Sequence, residues 1–148
     1  MELDPNFALA YVDVSVLYHN LHEVELAREN ARKAYELREK VSERERLAIE
    51  SRYFGFSTGE LEKALTVYQL WEQIYPRDFV PYGNEGFTYA TLGDYVRAVE
   101  KTREALRLQP NVAIGYSNLA AMYECLNPLE DAAVAFRVAD EHGSKPKC

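Results

Sequence analysis

The chain has 148 residues, 47% of them apolar and 28% charged, which is enough to bury a core without disulfides or a metal and too apolar for a disordered segment. Its 17 Lys and Arg stand against 24 Asp and Glu, and the net charge of −7 excludes a nucleic-acid module built on clustered cations. Seven Gly and six Pro leave little material for the turns of an all-β fold, while 11 Tyr ask for an explanation. The opening Met1-Glu2-Leu3-Asp4-Pro5 is acidic and has no apolar run behind it, unlike a secretory signal. No stretch reaches about 18 consecutive apolar residues, so no membrane span is expected. Cys125 and Cys148 form neither a disulfide framework nor a metal-ligand spacing. They fit a reducing compartment and a cytoplasmic location. Cys125 reads as a small buried apolar residue and Cys148 as an exposed terminus.

In chain order, the sequence divides into units over 8–41, 45–78, 79–112 and 113–146, with a three-residue insertion between the first two. An offset of 34 places Tyr82 over Tyr116, Asn84 over Asn118, Tyr89 over Tyr123, Ala98 over Ala132 and Ala105 over Ala139. In the first unit Tyr11, Tyr18, Ala27 and Ala34 fall in the same register. Each unit predicts two helices. In the first, His22-Glu23 stands where the others break at Gly59, Gly93 or Asn127. A balanced run of charge over 23–46, including Glu25/Glu29, Glu29/Lys33 and Glu36/Lys40, reads as a solvated helix face. In the second unit Ser42-Glu43-Arg44-Glu45 predicts a capping box. In the third, Tyr82, Gly86 and Tyr89 share one helical face, and Gly93-Asp94 and Pro110 close its helices. Gly86 and Ala120 mark a close approach between paired helices, opposite Ala64, Ala98 and Ala132. Six of the Tyr recur in register and read as core. A pair of helices of this length cannot bury its apolar face alone, so neighbours must stack.

This pattern resembles the tetratricopeptide repeat (TPR) family over nearly the whole chain. The third unit carries Tyr82, Gly86, Tyr89, Gly93, Tyr95, Ala98, Ala105 and Pro110; the fourth carries Tyr116, Leu119, Ala120, Tyr123, Ala132, Phe136 and Ala139. The second departs, with Arg52 and Gly55 in place of Gly and Tyr, and Tyr53, Phe54 and Phe56 are expected to take over its core. The resemblance implies an all-α, right-handed solenoid of antiparallel helix pairs that binds proteins or peptides on its concave side. The segment Val41–Leu47 also looks like TPR arrays attached to bacterial signalling proteins. No kinase signature is present.

No catalytic set, cofactor motif or metal constellation emerges. His19 and His22 share a face but lack further ligands, and no Ser, Cys or carboxylate pair stands in a motif spacing. The expectation is a non-enzymatic scaffold without cofactor or metal. Counting along the first helices, which line the concave side in the implied architecture, the candidate groove residues are Asp13, Glu50, Tyr53, Asn84, Phe87 and Asn118. Asn84 and Asn118 can pair with the backbone of an extended ligand; equally, they can tie neighbouring helices together. Tyr53 and Phe87 read as anchors or as core. Asp13 and Glu50 favour a neutral or basic ligand. The positions that would clamp a C-terminal carboxylate in one mode of the family carry mainly Val, Ile, Glu and Asn, which argues against that mode.

Both ends look unfinished. Leu3-Asp4-Pro5-Asn6 matches the close of a unit whose first part is missing. Leu129–Ala139 carries charge only at Glu130, Asp131 and Arg137 and is apolar nearly all round, which calls for cover on two sides. The chain is therefore expected to be part of a longer array or to self-associate through this last helix. An alternative function is a structural or regulatory spacer in a larger signalling protein, self-associating through its repeat ends. Neither nucleic acid nor membrane is expected as a partner.

Overall fold

A computed structural model describes residues 6–126, and among these there are seven α-helices and no strand. Helix α1 spans Asn6–Asn20, α2 Val24–Glu36, α3 Glu43–Arg52, α4 Leu61–Ile74, α5 Phe79–Thr91, α6 Tyr95–Leu108 and α7 Ala113–Leu126. A short 3-10 turn, Arg38–Lys40, follows α2, and a π-helical turn, Tyr53–Thr58, follows α3. The chain divides into two compact units between Trp71 and Glu72, a point inside α4.

The helix ends follow local chemistry. Ser42 and Glu45 form the expected capping box: the Ser42 hydroxyl accepts from the Glu45 backbone N–H, and the Glu45 carboxylate accepts from that of Ser42 at 2.8 Å. Asp78 caps α5 by accepting from Val80 N–H at 3.1 Å, and Asp94 caps α6 by accepting from Arg97 N–H at 3.1 Å. The three turns inside helix pairs use one backbone device. Gly59 and Gly93 adopt left-handed φ values of 73° and 81°, and His22, in the same register, adopts 62°. Histidine holds that conformation only against the Cβ clash that glycine avoids.

In the first unit α1 packs along α2. Ala8, Val12, Ala34, Leu37 and Ile49 form a buried cluster, with Tyr11, Tyr35 and Val41 against it. The residues after α3 depart from a regular helix. The Tyr53 ring stacks on Tyr35 at 3.9 Å, Phe54 meets Tyr35 edge-on at 6.2 Å, and Phe56 stacks on His19 at 4.1 Å. These aromatics supply the apolar contacts that Arg52 and Gly55 do not.

In the second unit α6 lies between α5 and α7. Gly86 faces Ala98 and Thr102 so closely that an added Cβ would stand 3.0 Å from Ala98 O and 3.1 Å from Thr102 N, and would collide with the Thr102 hydroxyl. At the same register in the first unit, Ser15 and Ala31 are both fully buried. The larger residue of the pair has changed helices.

Two local expectations are corrected. Cys125 is exposed, because it shares the register of Thr91, which also faces solvent. Its hydrogen bond with the Tyr95 hydroxyl raises that phenol above its ordinary range. The Glu36/Lys40 helical pair gives way to an Arg32–Glu36 pair at 3.3 Å, since α2 ends at Glu36 and Lys40 belongs to the 3-10 turn. Glu29–Lys33 forms at 2.7 Å.

Candidate functional site

In the second unit Asn84 and Phe87 stand three residues apart on α5, one above the other on a helical face. Phe87 is 49% exposed, a large area for an aromatic ring, while Asn84 is half-buried. Asn118 occupies the matching place on α7 and is also half-buried. Ala121, in the register of Phe87, and Thr91, one turn beyond it, are exposed. The face thus offers amides near its floor and one open aromatic ring. The Asn84 carbonyl accepts from the Thr88 hydroxyl at 2.8 Å, which holds the helix backbone locally.

In the first unit Asp13 is exposed on α1. Glu50 is half-buried and lies 3.9 Å from the Arg38 guanidinium. That guanidinium also stacks 3.8 Å over Tyr35, whose ring stacks in turn on Tyr53. Glu50 and Tyr53 therefore belong to one chain of contacts, with Arg38 and Tyr35 as its middle. The Glu50 charge is offset there, and part of the Tyr53 ring is already covered.

Sequence patterning alone passes over the most unusual electrostatic feature of the second unit. Glu85 is fully buried on α5, and Lys101 Nζ lies 2.7 Å from its carboxylate and 2.7 Å from that of Glu72. Burial first, then a hydrogen bond shared with Glu85, push the Glu72 carboxyl up to about 7. Burial alone would lower the Lys101 ammonium; its hydrogen bonds to Glu72 and Glu85 outweigh that and hold it above its ordinary value. The signal was in the register. Glu85 occupies the slot of Val14, Ser51 and Leu119, none of them charged, while Glu72 shares its slot with Leu106 and Asp140, so the register marks Glu85 as the unusual charge. Two acids and one ammonium carry excess negative charge when all are ionised, so the cluster retains a proton near neutrality. It lies in the helix interface and has the character of a structural element.

Among the described residues no group of three or more His, Cys, Asp or Glu could hold a metal ion. Burial, then the charges of Arg52 and His22, lower the His19 imidazole below its usual range, and its face is taken by Phe56. Among the described residues no helix is long and apolar enough to cross a membrane. The segment Leu129–Ala139, expected to take part in self-association, lies outside the described residues.

No protein-family model matches the chain. Solved structures do resemble it. A thermophilic TPR protein from Thermus thermophilus is 23% identical with a TM-score of 0.70, the match covering 94% of this chain and 74% of that one. A kinesin light chain with nearly identical TPR-like repeats, from Podosopora anserina, is 16% identical with a TM-score of 0.67, covering 94% and 75%. MamA from Desulfovibrio magneticus is 19% identical with a TM-score of 0.64, covering 95% and 76%. The fold is thus an all-α, TPR-like helical repeat.

Proposed function

We propose that this chain is a non-enzymatic scaffold that binds an extended segment of another protein on the exposed faces of its first helices. The observation that carries this reading is the half-exposed Phe87 ring one turn from Asn84 on α5. An aromatic ring left open to water beside a hydrogen-bonding amide suits a binding anchor. In this reading Asn84 and Asn118 pair with the ligand backbone, each amide offering donor and acceptor together, and Phe87 takes an apolar side chain. In the other unit the proposed contacts are Asp13, Glu50 and Tyr53. Asp13 is the open charge and selects a basic or neutral residue. Glu50 and Tyr53 contribute through the Arg38–Tyr35 contacts that hold them.

Double replacement Asn84→Ala/Asn118→Ala tests the reading. A peptide selected from an array should bind at least tenfold more weakly, since two backbone-directed bonds are each worth about 1 kcal/mol. Urea unfolding should change less than binding does. Unchanged affinity in a folded double mutant sinks the amide ladder.

A further inference from the structure

The first helices share a face at fixed register positions, and on three of them it is mostly buried. On α3 it holds Leu47 and Ser51, on α5 Pro81, Glu85 and Thr88, and on α7 Leu119 and Met122. The second unit shows what lies against such a face. Helix α6 covers α7, with Thr102 Oγ1 3.5 Å from Met122 Sδ. The Leu106 side chain sits against Gly115, where an added Cβ would stand 2.8 Å from it.

On α1 the same positions are Ala10, Val14 and Leu17, and all three are exposed. Leu17 is 55% and Val14 36% exposed, where their counterparts Met122 and Leu119 keep 4% and 8%. Phe7 and Leu21 extend the stripe, at 54% and 59%. Spaced three and four apart, these residues line one side of the helix. A continuous apolar stripe in water marks a docking face, and its register says that the fitting partner is a second helix of the kind α6 presents.

We propose that the α1 stripe receives the segment Leu129–Ala139 of a second copy of this chain. The register selects this occupant. Helix α6 is already engaged with α7, and 129–139 repeats its pattern, with Leu129 for Tyr95, Ala132 for Ala98, Phe136 for Thr102 and Ala139 for Ala105. Charge on it is confined to Glu130, Asp131 and Arg137, so more than one of its sides seeks cover. Transferring the Thr102–Met122 contact by register sets Phe136 of one copy on Leu17 of the next. The contact joins two different surfaces of the chain, so it is heterologous and builds either a closed ring or an open chain of copies. It goes beyond the groove reading and does not depend on it.

The test is light scattering on the 148-residue chain from micromolar to hundreds of micromolar, with Leu17→Glu and Phe136→Glu. The wild type should gain mass with concentration, and each variant alone should stay monomeric. An equimolar mixture of the two should reach twice the monomer mass and stop, because each variant keeps one competent end. Ala10→Glu, on the same stripe, should behave as Leu17→Glu, and circular dichroism checks that each variant keeps its helices. Asn84→Ala/Asn118→Ala should associate as the wild type does, which separates this interface from the groove. A strictly monomeric wild type, or folded variants that associate like the wild type, overturns the proposal.

Discussion

Replacing Glu72 by Gln should change how stability depends on pH. Glu72 lies within 2.7 Å of Lys101 and shares a hydrogen bond with the fully buried Glu85. Its carboxyl is raised from 4.5 to about 7. A group that binds its proton more tightly in the folded state contributes stability that is fully present below its unfolded pKa. That contribution is lost as pH rises through the folded value. The window therefore opens near 4.5 and closes above about 7. Its full height is about 3 kcal/mol, from 1.36 kcal/mol per pH unit of displacement. The side chain is only 12% exposed, so solvent screening removes little of this. His19 works in the opposite sense: its lowered imidazole takes stability away as pH falls through the histidine range. Comparing wild type with Glu72→Gln at each pH cancels that contribution. Urea unfolding between about pH 5 and pH 8 should show the wild type losing ground against the variant as pH rises. Parallel profiles would refute a shared proton in the cluster.

Other consequences follow from single contacts. Gly86→Ala should destabilise by about 1–2 kcal/mol, because overpacking against fixed backbone outweighs the helix propensity that Ala adds. Gly115→Ala meets only the Leu106 side chain, at its Cδ2 and Cγ, and no backbone, so it should cost less than Gly86→Ala, about 0.5 kcal/mol, since that side chain can turn away; equal losses in thermal unfolding would contradict the distinction. His22→Gly should stabilise by about 0.5–1 kcal/mol by relieving a left-handed non-glycine backbone, and a loss of stability would show that the His22 side chain matters more than its φ. Ser42→Ala should lower stability by about 1 kcal/mol through loss of the capping box at α3, and an unchanged urea midpoint would argue against it.

Much of the fold was legible because helix-pair turns leave local marks. Gly59 and Gly93 marked the breaks inside helix pairs, Pro110 falls just beyond α6, and the capping box announced the start of α3. Gly86 was readable as a close approach because its register in the Tyr82–Tyr89 face is held by the small Ala120 in the next unit. The Glu72–Glu85–Lys101 cluster was not readable from composition or periodicity, since Glu on a helix ordinarily faces water. Only the register, which puts Glu85 in the slot of Leu119, marked it. Arg52 and Gly55 marked the second unit as departing from the family pattern but gave no sign of the π-helical turn at Tyr53–Thr58, whose rings stack on Tyr35 and His19, residues far away in sequence. Of the candidate groove residues, Phe87 and Asp13 are open, while Glu50 and Tyr53 are engaged by neighbours that helix counting could not foresee.

The scaffold reading is tested most directly by an amide-resolved NMR titration with a peptide selected from an array. The largest shifts should fall at the Asn84 and Asn118 side-chain amides and around Phe87, with the side of α6 that exposes Arg103 and Arg107 unmoved. Shifts confined to that side of α6, with Asn84, Phe87 and Asn118 silent, would contradict it.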